Sequence, residues 1–480
     1  MALGASKSGI AFGTDGWRGI LGQEMIPDTV AVVAQAFAEY LHQKRATPMV
    51  AVGFDGRAFS RGFASLFSRV LASNGCAVTL TSEVVPTPVL SYAVHARSLD
   101  AGVMITASHN PPQYNGIKFK ASYGGPFVTE ETHAVERLIG VHPVRYDSAE
   151  PRPVSILDGY RQQVERLIDF HLIRNAKLPV LVDSMHGAGA MLLESLLREH
   201  GCPVRTVAGD PRNDFGGRTP EPIERNLKPL VEAVSADPEV ALGVATDGDA
   251  DRVGVVLDGG RWLNAQETIL LLVHHVVNVR KAPGGIVKTC SVTDKVRELL
   301  GGSGRDVHEV QVGFKYVCEK MTSRRIAIGC EESGGYGYGE HIPERDGILS
   351  ALMLIEMLAA SGFRKLSEMI VAQRMKWGEI HYDRIDLEYG AEDRLEILPQ
   401  LQASPPRKLG PHRVRHVHSY ASSRGIVNGL KFVLDGSCRW LLLRASETEP
   451  LVRMYAEGRS DDEVRGFLTA GRNLVSARSQ

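Results

Sequence analysis

The apolar positions of residues 28–45, DTVAVVAQAFAEYLHQKR, fall at Val30, Val33, Ala34, Phe37 and Leu41. That spacing places them on one face of an α-helix, and Pro27 with Asp28 supplies its start signals. The next apolar run, MVAVGFD (49–55), is short and breaks at Gly56, which predicts a buried strand, and it leads into a second helix ending near Asn74 and Gly75. Strand and helix then alternate through residue 138, an order that predicts a parallel sheet with helices on both faces. The unit recurs in LPVLVDSMHGAGAMLLESLLREHG (178–201) and in GGIVKTCSVTDKVRELLG (284–301), each a strand, a small-residue turn and a helix. From IHYDRIDLEY (380–389) onward the pattern changes to short strands around a Pro- and Gly-rich insertion, QASPPRKLGPHR (402–413), so the last domain is expected to be a smaller α+β unit.

A chain of 480 residues is too long for one core. The pattern divides it into domains at 1–150, 151–257, 258–372 and 373–480, with the Pro-rich, mixed-charge stretch GVHPVRYDSAEPRPVSI (140–156) as the first linker. Composition is that of an ordinary globular protein, 43% hydrophobic and 23% charged. A formal net charge of −1 offers no global attraction to nucleic acid or to an anionic membrane, so charge has to be read site by site. The six cysteines are scattered without a CxxC pair, which points to reduced thiols and a cytoplasmic setting rather than to a zinc knuckle or disulfide framework. The longest apolar stretch, ILLLVHHVVNV (269–279), is too short and too rich in histidine to span a bilayer.

The densest chemistry lies in ATDGDADRVGVV (245–256), where Asp247, Asp249 and Asp251 alternate before a β-branched run. Three carboxylates so close repel one another and call for a cation, and hard oxygen donors select Mg²⁺ or Ca²⁺. A second stretch, RASETEPLVRMY (444–455), offers Arg444, Ser446, Thr448 and Arg453, a set of donors that suits a phosphate. In CEESGGYGYGEHIPERDG (330–347), paired glutamates beside flexible backbone suit sugar hydroxyls. TASHNPPQYNGIKFK (106–120) crowds a hydroxyl, an imidazole, amides and amines behind the apolar run AGVMI. Arg18 in FGTDGWRG (12–19), Lys315 in VGFKYV (312–317) and Arg57 in GFDGRAFS (53–60) each read as a surface charge near a turn. No GxxxxGK[ST] loop and no strand followed by GxGxxG is present, which leaves phosphate chemistry without a nucleoside triphosphate or a dinucleotide.

TASHNP with NGIK, DGDADR, EESGG and RxSxTEP, together with FGTDGWRG, occur in the order and spacing of the α-D-phosphohexomutases, and the chain resembles that family over nearly its whole length. The resemblance implies an α/β fold of three similar mixed-sheet domains plus a smaller α+β C-terminal domain around a central cleft. It implies an isomerase of the phosphoglucomutase/phosphomannomutase type, working through a phosphoserine and a bound glucose 1,6-bisphosphate. Ser108 would be that phosphoserine, and Asp247, Asp249 and Asp251 would hold Mg²⁺ together with an oxygen on Ser108. Glu331 and Ser333 would bind the sugar, Arg444, Ser446, Thr448 and Arg453 the phosphate that is not reacting, and Lys315 and Arg252 further substrate groups. Lys118, His109 and Arg18 would serve proton transfer and charge stabilisation at Ser108. The partners implied are small hexose phosphates, with no nucleic acid and no membrane.

The chain departs from the family pattern at Cys330 and Glu447, where Gly is usual, and EESGG looks more like the glucose- and mannose-directed members than the glucosamine branch. Two other classes remain open on the residues alone. An aspartyl-nucleophile sugar phosphatase would use the D-x-D of DGDAD, although Asp251 stands where such sites carry a hydroxyl. A non-catalytic sugar-phosphate-binding protein would keep the arginines and dispense with Ser108.

Overall fold

In the structure, a computed structural model that describes residues 10–13, 15–147, 149–389, 394–422, 425–446 and 451–476, the first apolar periodicity forms the helix Pro27–His42, and all five of its spaced apolar residues are buried. Ser60–Ser73 is the second helix, ending at Asn74. The strands beside them build a sheet in the order Trp17–Ile20, Tyr114–Ala121, Ala101–Ile105, Met49–Phe54, Ala77–Leu80. Its last three strands are parallel, and Tyr114–Ala121 returns antiparallel to Ala101–Ile105.

The second sheet repeats this plan with Trp262–Leu263, Val253–Leu257, Leu242–Thr246, Val180–Asp183 and Val204–Thr206. The third repeats it with Tyr336–Tyr338, Ile326–Cys330, Gly285–Thr289 and Val307–Val310, and among the described residues only the outermost edge strand has no counterpart. The parallel strands that strand and helix alternation suggests are therefore joined by antiparallel ones, which gives the mixed sheets that the resemblance implies. The connections 106–113, 247–252 and 331–335 are too short for the crossover that a parallel pair needs, which takes about a dozen residues or more, so each must close an antiparallel hairpin. These three equivalent hairpin turns carry TASHNP, DGDADR and EESGG.

The expected division at 257/258 falls within the hairpin of Val253–Leu257 and Trp262–Leu263, and that at 372/373 within the helix Leu366–Trp377. One apolar cluster runs through all three α/β units, from Val89 and Leu90 through Val182 and Val244 to Leu352 and Leu354. At its centre the helix Gly347–Ser361 is buried continuously from Gly347 to Leu358, as a sequence apolar on every face requires, and it packs on the second sheet. Among the described residues no single helix is long and apolar enough to cross a membrane, and the six cysteines are buried free thiols.

The last unit is a six-stranded antiparallel sheet with Asp461–Ser476 and Arg394–Ala403 as its helices. Alternation decides what each face carries. Leu441, Leu443, Val452 and Met454 join the core beneath the helices, while Arg444 and Arg453, directly opposite each other in register, line the other face toward the rest of the molecule.

Candidate active site

Ser108 follows the fully buried strand Ala101–Ile105 and adopts φ +54°, in the left-handed region that a non-glycine residue enters at a cost. Its N–H donates to Thr106 Oγ1 at 2.9 Å, and Thr106 Oγ1 donates to Asp55 Oδ2 at 2.6 Å. The Ser108 hydroxyl donates to Asp247 Oδ2 at 3.1 Å, with His109 Nδ1 3.4 Å from Ser108 Oγ. The approach of the two hairpin turns is close: a Cβ on Gly248 would lie 2.3 Å from the Ser108 carbonyl oxygen, so the glycine between Asp247 and Asp249 is what lets them meet.

Asp247, Asp249 and Asp251 are fully buried, and one oxygen from each lies within 4.8 Å of the others. Asp249 Oδ1 and Asp251 Oδ1 have no hydrogen-bond partner. Buried, unpartnered carboxylate oxygens fit a hard cation, and these three residues could hold a metal ion. Burial, with Asp251 and Asp249 alongside, pushes the Asp247 carboxyl well above its usual range. Burial also opposes ionisation of Asp249, but the Lys118 ammonium at 2.8 Å, the Thr87 hydroxyl and Arg345 together outweigh it and hold that carboxyl below its usual range.

Lys118 is itself buried, within 2.9 Å of Asp15, 2.8 Å of Asp249 and 3.1 Å of Asp251. Burial disfavours its charge, yet these three carboxylates keep it protonated, with its pKa above the ordinary lysine value. Burial, followed by the cations Arg252, Arg18, Lys118 and Arg345, lowers His109 well below the ordinary histidine value and keeps it neutral. Arg18 donates to Asn110 Oδ1 at 2.7 Å, bracing the same turn.

A cavity of about 1030 Å³ is lined by residues of all four units; next to this cluster its wall is formed by Asp15, Arg18, His109, Arg252 and Arg345, while Ser108, Lys118 and the three aspartates are not among its lining residues. From the first come Arg18 and His109, from the second Arg252, from the third Lys315, Glu331 and Ser333, and from the last Arg444, Ser446 and Arg453. Ser333 Oγ donates to Glu331 Oε2 at 3.0 Å, and Lys315 Nζ to Thr129 Oγ1 at 2.8 Å. Burial raises the Glu331 carboxyl. The C-terminal face adds Arg384, which grips Asp386 with two bonds of 2.8 and 2.6 Å, and Arg453 Nε stands 3.8 Å from the same carboxylate. Thr448 and Glu447 lie outside the described residues. Cys330, the first departure from the family pattern, is fully buried at the end of its strand and pairs with Tyr336, away from the cavity lining.

Family models for phosphoglucomutase/phosphomannomutase match the chain in four consecutive parts: α/β/α domain I at residues 9–141, domain II at 158–260, domain III at 264–376 and the C-terminal domain at 393–470. The chain belongs to the phosphoglucomutase/phosphomannomutase family. A phosphoglucomutase/phosphomannomutase of Thermococcus kodakarensis is 32% identical to it, over 97% of this chain and 98% of the relative. A phosphoglucosamine/phosphogalactosamine mutase of Sulfurisphaera tokodaii is 30% identical, over 98% of this chain and all of the relative (100%). A crystal structure from Thermus thermophilus, named for a phosphomannomutase, superposes with a TM-score of 0.84 at 35% identity, covering 99% of this chain and 100% of that one. Membership makes the protein a phosphohexomutase and an isomerase.

Residues read as surface charge, or not given a role of their own, hold these turns together. Arg57, expected at the surface, is buried and ion-paired to Asp55 at 3.2 Å. Arg345 is also buried; it donates to Asp15 and, at 2.6 Å, to Asp251, and stands 3.5 Å from Glu331. Glu332 accepts from Thr289 at 3.0 Å and Ser291 at 2.5 Å, tying the EESGG turn to the strand beside it. The signal for Arg345 was its place in the quoted PERDG stretch, and for Asp15 its place beside Arg18 in FGTDGWRG.

Proposed function

We propose that this phosphohexomutase interconverts hexose 1-phosphates and 6-phosphates through phospho-Ser108 and a bound hexose 1,6-bisphosphate, with glucose phosphates preferred and mannose phosphates accepted. The observation that carries the reading is the Ser108 hydroxyl, 3.1 Å from Asp247, beside a cavity whose C-terminal wall presents Arg444 and Arg453. In the first half-cycle a hydroxyl of the sugar monophosphate attacks the phosphorus of phospho-Ser108, a new P–O bond to the sugar forms, and the bond to the Ser108 oxygen breaks; the second half-cycle runs the other way, the Ser108 oxygen attacking and the bond to the sugar oxygen breaking. The bisphosphate then turns end for end and returns its other phosphoryl group to Ser108.

Asp247, Asp249 and Asp251, with an oxygen on Ser108, would hold Mg²⁺, which would supply positive charge to the transferring phosphoryl group. Lys118 and Arg18 add positive charge of their own, and Arg252 stands beside Asp251 with Nε 3.8 Å from Oδ1. His109 is placed to exchange the hydroxyl proton, with Nδ1 3.4 Å from Ser108 Oγ. Glu331 and Ser333 accept sugar hydroxyls, Lys315 serves the same wall, and Arg444, Ser446, Thr448 and Arg453 hold the phosphate that is not transferring. That fixed phosphate sets the line of attack for the other.

Incubation with glucose 1,6-bisphosphate carrying a labelled phosphate tests the reading: label on Ser108 is expected. Label on an aspartate would instead support a phosphatase, and no covalent label a binding protein. Turnover on glucose 1-phosphate, mannose 1-phosphate and glucosamine 1-phosphate tests the substrate preference. The Sulfurisphaera tokodaii relative makes the amino sugar the competing outcome.

A further inference from the structure

We infer that Arg57 is a positioning residue for phosphoryl transfer: it fixes the main chain of the Ser108 turn so that the hydroxyl meets the acidic cluster, and it does so without touching substrate. The inference rests on the phosphoserine reading above. Arg57 Nη2 donates to the carbonyls of Ser108 and Asn110, both at 2.6 Å, and Nη1 to those of Pro111 at 2.9 Å and Tyr114 at 3.0 Å. Its remaining nitrogen faces Asp55, its guanidinium carbon lies 4.7 Å from the centre of the Phe215 ring, and it is only 3% exposed.

The turn requires such a group. Pro111 and Pro112 have no N–H, and of the turn's inward carbonyls that of Pro111 is met by the Tyr114 N–H at 3.1 Å, while those of Ser108 and Asn110 are met by Arg57. A guanidinium is planar and always charged, and its four terminal N–H groups can serve four acceptors at once; an ammonium has three, on a point. Asp55 completes the brace, since it also accepts from Ser60 at 2.7 Å and from Thr106, whose oxygen holds the Ser108 N–H. The Ser108 carbonyl is thereby caught between Arg57 and the backbone of Gly248, while the residue is held at φ +54° with its hydroxyl on Asp247. Both terminal nitrogens of Arg57 are engaged by main-chain carbonyls, which leaves them nothing to offer a substrate.

A residue that places the nucleophile and leaves the binding walls intact should act on kcat and spare KM. Misplacement of a reacting group by about 1 Å costs about 100-fold, so Arg57→Lys should lower kcat by about that factor, with KM within about twofold. Arg57→Ala should fall at least as far and recover part of its kcat when guanidinium is added at concentrations that leave the wild type folded. Thr106→Val, nearly isosteric, cuts the link between Asp55 and the Ser108 N–H and should lower kcat by about tenfold on the same grounds. It covers the case in which neither arginine variant folds.

Wild-type kcat in Arg57→Lys or in Thr106→Val, or a KM that rises in step with any fall in kcat, overturns the inference. Labelling the wild type with glucose 1,6-bisphosphate separates the two claims. A wild type that takes no label on Ser108 sinks the phosphoserine reading; a labelled wild type alongside variants of unchanged kcat sinks only the role of Arg57.

Discussion

The two ends of the cavity are built on opposite principles. At the Ser108 end the charges of Asp247, Asp249, Asp251, Lys118 and Arg345 are all buried, and each is held by partners from another hairpin or another unit. At the C-terminal end Arg384, Arg453 and Asp386 stand on an open sheet face, with side chains 42%, 22% and 38% exposed. Burial strengthens every electrostatic interaction at the first end and requires that the charges be placed before reaction begins. Exposure at the second end keeps each interaction weak, as the proposed release and reorientation of a bisphosphate would require.

Between them lies a joint. Glu309 of the third sheet accepts from Lys288 at 2.6 Å, from Lys431 of the C-terminal sheet at 3.0 Å and from the Tyr420 hydroxyl at 2.6 Å. Burial opposes its charge, but Lys288 and Lys431 hold its carboxyl below the usual range. Both lysines are fully buried, so this network ties the open face to the rest of the molecule.

The largest effect that separates the two ends should come from Ser108→Ala, which is expected to lose roughly a thousandfold or more in kcat while KM and thermal stability stay near wild type. Retained turnover would mean that the first end is not a nucleophile site at all. Asp249→Asn removes one donor and should raise the Mg²⁺ concentration for half-maximal activity by about 100-fold, at the upper end of what even an indirect partner of a metal site is worth. An unchanged Mg²⁺ titration would place the metal elsewhere. Glu309→Gln leaves two buried ammonium groups short of a counter-charge and should cost about 3 kcal/mol in urea unfolding, the low end for a broken buried pair because Asp294 remains 3.0 Å from Lys288. A loss below ~1 kcal/mol would show the joint to be no stronger than a surface pair. The smallest effect is expected at the open end, where Arg453→Ala should raise KM about tenfold, the equivalent of about 1.5 kcal/mol for one charge-assisted hydrogen bond, with kcat nearly unchanged. If kcat falls as far as KM rises, the arginine face takes part in the chemistry and the contrast between the ends fails.

Much of this site could be read from the chain because its motifs are compact. Asp247, Asp249 and Asp251 announce a cation by proximity in sequence alone, and Arg444 and Arg453 announce an anion by composition. Lys118 and Arg57 show where that reading stops. Lys118 was a candidate acid or base by its place near Ser108, and the fold adds three carboxylates from remote segments that keep it charged. Arg57 looked like an exposed charge at a turn, because a sequence does not reveal that carbonyls 51 to 57 residues away converge on it. The parallel sheet was expected from alternation, which cannot tell a crossover from a hairpin until the lengths of the connecting turns are compared.

Local order therefore determined the helices, the three repeated strand-and-helix units, the α+β character of the last unit and the identity of its reactive groups, since periodicity and turn chemistry act over a few residues. Which of those groups would be buried together was decided only by the tertiary structure. Arg345 and Asp15 are bonded across 330 residues of chain, and the Ser108 turn meets Gly248 only because two separate sheets present equivalent hairpins to one another. A charge takes its behaviour from what surrounds it, and those surroundings come from packing rather than from neighbours in sequence.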